Sequence, residues 1–207
     1  MEGSLGSKGN LKVQVNRIPK AKMSWKVRNT IRWEFIRGWI ACHVAPILGK
    51  TIGFAVITSK LHLVYKGVDG QMVDYGVVGY RVVTTAFITA LALALGTQAS
   101  PGNLFYHALG VGVGAAAVGD TGMGTELTTE YTGDVRATGT HTEALGVYTS
   151  VGTNTIDSGT PAVTEHGVMG AASGASTLID RHTFAAVNMV AGDSLVSTYV
   201  LTFTAGG

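Results

Sequence analysis

The sequence predicts a mainly β protein: an antiparallel β-sandwich or jelly-roll-like body behind an extended basic N-terminal arm, with room for one or two short helices. Three observations carry this. First, residues 104–204 break into short β-prone runs punctuated by glycine, and 16 of the chain's 29 glycines fall within residues 96–174. Many short strands at such spacing are the pattern of a sandwich or jelly roll. Second, the final run alternates, with Leu195, Tyr199, Leu201 and Phe203 on one face and Val196, Thr198, Val200, Thr202 and Thr204 on the other. That is a two-sided strand, and threonine suits its outer face. Third, charge is segregated. Residues 1–50 hold ten Lys and Arg against two acids, a net +8, whereas residues 51–207 hold five against eleven, a net −6. The chain therefore divides into a basic aromatic arm, 1–50, and a β-rich body, 51–207.

The elements follow in order. Residues 24–40 contain all three tryptophans. Trp25, Val27, Ile31, Trp33, Phe35 and Trp39 fall on odd positions, which is strand-like, while Val27, Ile31, Phe35 and Trp39 repeat every four, which is helical. Such a stripe packs onto the body or a neighbouring subunit, or lies on a membrane surface as a basic amphipathic helix. Thr51–Thr58 is apolar and β-branched and reads as a strand. Leu61–Tyr65 and Gln71–Val78 flank Gly67-Val68-Asp69-Gly70, a hairpin signal. Strand character continues over Tyr80–Thr84. Ala86–Leu95 is rich in Ala and Leu and reads as a short buried helix ended by Gly96. Residues 97–103 form a loop. The further strands predicted are 104–109, 125–132, 144–151, 161–166, 177–190 and 194–204, with a tight turn at Ala191-Gly192-Asp193 between the last two.

Composition excludes several classes. A chain of 207 residues buries about 70% of its unfolded surface on folding, so it needs no disulfide. One cysteine, Cys42, excludes a disulfide framework and a Cys-only zinc site. The longest apolar run, Ala86–Leu95, is half the roughly 20 residues a membrane-spanning helix needs. The start, Met-Glu-Gly-Ser-Leu-Gly-Ser, lacks the basic-then-apolar pattern of a signal peptide. The arm's cations are spaced three to five apart and interrupted by Val, Ile and Pro19, a weak footprint for phosphate binding. A solvated leader or a contact with an acidic protein surface fits it better than nucleic acid.

No catalytic constellation emerges. Gly110-x-Gly112-x-x-Ala115 fits a relaxed dinucleotide fingerprint, but Gly119-Asp120-Thr121-Gly122-Met123-Gly124 breaks the helix that fingerprint requires. Gly114–Thr121 resembles a phosphate loop with Asp120 at the lysine position, which puts negative charge where phosphate would sit. A flexible Gly/Ala connection between strands is the simpler reading. Gly170-Ala171-Ala172-Ser173-Gly174 places its serine one residue late for a nucleophile elbow. Asp180 and His182 share a strand face and can pair, with no nucleophile assigned to them. The six histidines, His43, His62, His107, His141, His166 and His182, show no metal-ligand spacing. They read as polar strand-end residues, and neither metal nor cofactor is expected.

In the second half, Val82-Val83-Thr84-Thr85-Ala86, Tyr106-His107-Ala108-Leu109-Gly110-Val111-Gly112 and Gly119–Glu126 resemble a pattern in tailed-bacteriophage structural proteins. So do Ala162–Gly167, Ser173-Gly174, Leu178–Arg181, Phe184-Ala185, Gly192–Leu195, Tyr199 and Leu201–Gly207. The resemblance covers residues 75–207. It departs at Gly110-Val111-Gly112-Val113-Gly114, where many relatives have Gly-Thr-Gly. It implies a non-enzymatic virion component, β-rich, present as copies in a symmetric lattice and attached through extensions. It supplies no catalytic residues.

The expected role is a capsid decoration (cement) or minor capsid protein on the outer shell of a virion. Its expected partners are the major capsid protein or other virion proteins and further copies of itself, a trimer being the guess; neither a membrane nor nucleic acid is expected. Trp25, Trp33, Phe35 and Trp39 are the anchor candidates, since buried aromatics dominate interfaces. Arg28, Arg32 and Arg37 are candidates to pair with acids on the shell. The alternatives are a tail or fibre-attachment protein, and a host-glycan-binding module using loop aromatics such as Tyr131 and Tyr148.

Overall fold

The computed structural model describes residues 25–52, 55–81, 83–97 and 104–205. Among these described residues, two helices and nine strands follow in the order α1 (Trp25–Ile52), β1 (Val56–Lys66), β2 (Met72–Arg81), α2 (Thr85–Thr97), β3 (Tyr106–Gly110), β4 (Ala137–Thr138), β5 (Thr140–Ala144), β6 (Val147–Thr155), β7 (Ala162–Met169), β8 (Leu178–Asn188) and β9 (Ser194–Thr204). They build two antiparallel sheets, β2-β1-β9-β6-β5 and β4-β3-β7-β8. The fold is mainly β and sandwich-like, as the sequence predicts.

Leu61, Leu63 and Leu195 from the first sheet meet Leu109, Val163, Phe184 and Val187 from the second, with Tyr131, Ile156 and Met189 filling between them. β9 lies at the centre of the first sheet, between β1 and β6. Its buried face carries Leu195, Ser197, Tyr199 and Leu201, the face the alternation predicts, and Phe203 at its end is 40% exposed. The β1–β2 hairpin turns at the predicted place. Gly70 adopts φ 83°, and Gly67 N–H donates to Gln71 O at 2.8 Å. The β8–β9 turn is held by Asp193, which accepts from Val190 N–H at 2.8 Å, Val68 N–H at 2.9 Å and the Tyr65 hydroxyl at 2.8 Å. One carboxylate thereby ties the β1–β2 turn to the β8–β9 turn.

Five sequence expectations are corrected. Residues 25–50 of the arm lie in helix α1 (Trp25–Ile52), not in an extended segment, and residues 1–24 lie outside the described residues. The four-residue period wins over the two-residue one because the helix buries one side on β2: Gly38 is buried, and a Cβ there would sit 1.8 Å from Tyr80 O. The strand expected over Thr51–Thr58 begins only at Val56, since α1 runs through Ile52. Strand β2 ends at Arg81, and Thr84 caps the next helix, its hydroxyl oxygen accepting from Phe87 N–H at 3.1 Å.

The strand expected at 125–132 is a looped segment touching the sheets at two isolated bridges, Gly110↔Glu126 and Tyr131↔Ile156. The Glu130 carboxylate takes the backbone N–H groups of Thr128 and Thr129 at 3.0 and 3.1 Å, competing with a ladder. The run 144–151 is split by a turn in which Leu145 and Gly146 adopt φ 48° and 78°, so it supplies the end of β5 and the start of β6.

Candidate functional site

The N-terminal helix presents two apolar faces. The inner one rests on β2 and β1: the Phe35 ring meets Tyr80 of β2 edge-on at 5.4 Å, and the Cys42 thiol donates to Ser59 O of β1 at 3.4 Å. Trp39 stacks on His43 at 4.5 Å, and His43 leans on Tyr80. The outer face carries Trp33, Ile36, Ile40, Val44 and Ile47, all exposed, Trp33 at 64%. Their spacing of three, four, four and three draws one line along the helix. Of the anchor candidates, Trp33, Arg37 and Trp39 reach solvent, while Phe35 is 38% exposed and turned toward the body. The side chains of Trp25, Arg28 and Arg32 lie outside the described residues.

The polar groups are disposed the opposite way. Three histidines, His107, His166 and His182, are buried on the inner face of the second sheet, not at strand ends. His107 Nδ1 lies 2.9 Å from His166 Nε2, and His107 Nε2 lies 2.8 Å from Ser150 Oγ. Among the described residues, His166 Nδ1 has no hydrogen-bond partner. A buried N–H without an acceptor costs more than a bare lone pair. The favoured tautomers therefore protonate Nε2 in both rings: His166 donates to His107, and His107 donates to Ser150. In that arrangement the imidazole offers Ser150 a proton and has no lone pair with which to take one. Burial lowers the His107 pKa to about 4. Burial, then the neighbouring His107 and His182, hold His166 well below the usual imidazole range.

Asp180 and His182 share a face as predicted, with Nδ1 3.8 Å from Oδ2. The hydroxyl near them, on Ser59, donates to the Asp180 carboxylate. A general-base triad needs that hydroxyl on the imidazole.

On the other face of the same sheet, Glu165 is fully buried. One carboxylate oxygen accepts from Gly112 N–H at 3.0 Å and Thr125 N–H at 2.7 Å; the other accepts from Gly124 N–H at 3.1 Å and Arg181 Nε at 2.6 Å. Arg181 continues to Asp120 at 3.0 Å. The glycine-rich loop thus does cradle an anion, but the anion is the protein's own carboxylate. A Cβ at Gly110 or Gly112 would lie 2.4 or 2.5 Å from Glu165 Oε1. The segment expected to be a flexible connection is pinned at both ends of its Gly-rich stretch. Asp120, the residue that spoiled the phosphate-loop pattern, is an acceptor for Arg181.

A cleft of about 470 Å³ opens beside Arg136. That guanidinium is already engaged, by both oxygens of Glu126 at 2.5 and 2.9 Å and by the carbonyls of Ala171 and Gly174. Tyr131, a candidate loop aromatic for glycans, is a core residue, 2% exposed, with its hydroxyl donating to Leu109 O at 2.7 Å. Tyr148 is half-buried and donates to Leu104 O at 2.9 Å. Among the described residues, no group of histidine, cysteine and acidic side chains is arranged to hold a metal ion. No helix among them is long and apolar enough to cross a membrane.

Comparison with known protein families, curated proteins and solved structures finds no match to this chain.

Proposed function

We propose that this protein is a non-enzymatic structural component of a tailed-bacteriophage virion, a decoration or minor capsid protein that sits on the outer shell and stabilises it through repeated contacts. The observation that carries the reading is the inversion of side-chain placement. The groups able to do chemistry, Ser150, His107, His166, Glu165 and Arg181, are enclosed and largely bonded to one another. Bulky apolar groups, by contrast, are left in solvent in a line along α1. Exposed aromatic and branched residues grouped on one face mark a surface that another protein covers. A rigid sandwich bearing such a helix suits a part held by many weak contacts repeated over a lattice.

Cryo-EM of intact virions tests this. The expected result is hundreds of copies on the outer shell, lost when Trp33→Ala and Ile40→Asp are combined while the isolated variant keeps its β-sheet circular dichroism. Density confined to the tail, or particles lacking the protein, would overturn the shell assignment.

A further inference from the structure

The second helix has an unusual surface of its own. Thr85–Thr97 contains no charged residue. Phe87 and Ala94 are buried, while Ile88 and Leu95 are exposed, Leu95 at 77%. Ile88, Leu91 and Leu95 share one helix face by their spacing. Beside that face lies a groove of about 210 Å³, lined by Phe87, Leu91, Leu104, Tyr148, Leu201 and Phe203, with Glu143 as its one charged residue.

At the β5–β6 turn next to the groove, Leu145 stands wholly exposed. It adopts φ 48°, a left-handed conformation that costs a non-glycine residue of order 1 kcal/mol. A strained, solvated leucine beside an apolar groove marks a place where contact is made.

We infer that the occupant of this groove is helix α1 of a second copy of the chain, with Trp33 entering the groove and Arg37 set against Glu143. Three observations select that occupant. Trp33 and Arg37 lie four apart, on one face of α1, and both are exposed. The charges match: α1 belongs to the net +8 half of the sequence and Glu143 to the net −6 half. Pairing α1 with α1 across a two-fold axis would instead oppose like charges. Finally, the chain's own α1 is held on β2, one edge strand of the five-stranded sheet, whereas Glu143 sits on β5, the opposite edge strand. The contact therefore runs between molecules and joins two different surfaces. A heterologous contact of this kind closes into a ring or extends into a lattice. The inference deepens the structural reading above by naming what covers the α1 stripe.

The test is mutual complementation with the purified full-length chain, using exposed positions so that folding is preserved. Sedimentation over a range of concentrations is expected to show assembly of the unaltered protein. A donor-face variant, Trp33→Ala with Ile40→Asp, and a groove variant at the exposed lining residue Phe203, Phe203→Glu, are each expected to weaken it at least ~10-fold. Mixed together they should form a dimer and stop there, because the groove variant keeps a working α1 and the donor variant keeps a working groove. Arg37→Glu and Glu143→Arg should each weaken assembly and restore it when combined in one chain. A protein that stays monomeric at all concentrations would overturn the inference, as would assembly insensitive to Phe203→Glu. So would binding of the α1 stripe to vesicles of anionic phospholipid with no self-assembly. Shell occupancy by a monomeric protein would sink this inference and leave the virion reading standing. Self-assembly of a protein absent from virions would do the reverse.

Discussion

His107 Nδ1 and His166 Nε2 lie 2.9 Å apart in a core that shields both rings fully from solvent. One proton is shared along this contact, and there is no room for a second without placing a cation beside a histidine in an apolar interior. The His107 pKa is accordingly lowered from 6.5 to about 4, with burial as the cause. In the unfolded chain the same ring protonates below pH 6.5. The folded state then holds fewer protons than the unfolded one, so stability present at neutral pH is lost as pH falls from 6.5 toward 4. From His107 alone the loss is about 2 kcal/mol by pH 5 and about 3 kcal/mol by pH 4. His166 adds to it in the same direction. Urea unfolding at pH 7 and pH 5 measures this, and equal stability at the two values would contradict a neutral pair.

The glycines facing these rings give a second prediction. A Cβ at Gly152 would lie 2.4 Å from His107 Cδ2, and one at Gly79 would lie 2.4 Å from His182 Cδ2. Gly152→Ala and Gly79→Ala should each destabilise by about 1–3 kcal/mol, the usual range for overpacking a core. Among the described residues, nothing lies within 4 Å of a Cβ built at Gly114, so Gly114→Ala should change stability by less than about 0.5 kcal/mol. Denaturant midpoints of the three variants separate a packing role from a general need for glycine.

What was legible in the sequence followed from local signals. The alternation in β9, the Asp69-Gly70 hairpin and the Ala/Leu run of α2 each depend on neighbours within a few residues, and each appears where expected. The segment 24–40 was ambiguous because its apolar residues satisfy two periods, and only the close approach of Gly38 to Tyr80 decides between them. The polar core was illegible for a different reason. Glu165 and Arg181 are 16 residues apart, and His107 and His166 are 59 apart. Only the pairing of β3 with β7 and of β7 with β8 brings these groups together. The one available signal was negative: a strand bearing Glu165 and His166 side by side must bury one of them or face both sides of a covered sheet. The glycine loop misled for the same reason, since its anion comes from a strand some 40–53 residues further along.

Glu165 sets the third prediction. Each of its oxygens accepts two hydrogen bonds, so all four donors depend on a symmetric acceptor. Glu165→Gln keeps the shape but offers one acceptor oxygen and turns an N–H₂ group toward donors. It also leaves Arg181 with less compensation in a buried site. A loss of about 3 kcal/mol is expected, the low end for breaking a buried charged pair. Hydrogen exchange provides the specific readout: the amides of either Gly112 and Thr125 or Gly124 should exchange faster, while those of β9 keep their order of protection. Unchanged exchange at all three would show that the loop is held by something other than this carboxylate.

Leu145 ties stability to assembly. It occupies a left-handed position at which an L side chain is strained, and none of its surface is covered. Asn and Gly tolerate that conformation better, Asn through local hydrogen bonds and Gly through the missing Cβ. Leu145→Asn should therefore stabilise the isolated chain by about 0.5–1 kcal/mol. If the exposed leucine serves only the fold, this substitution is a gain without cost, and assembly should be unaffected. If Leu145 extends the apolar rim of the groove, the same substitution should raise the unfolding midpoint and weaken self-association by several-fold. Opposite changes in the two measurements on a single variant would separate a surface kept for contact from a turn that is merely suboptimal, because no change in folding stability alone moves them in opposite directions.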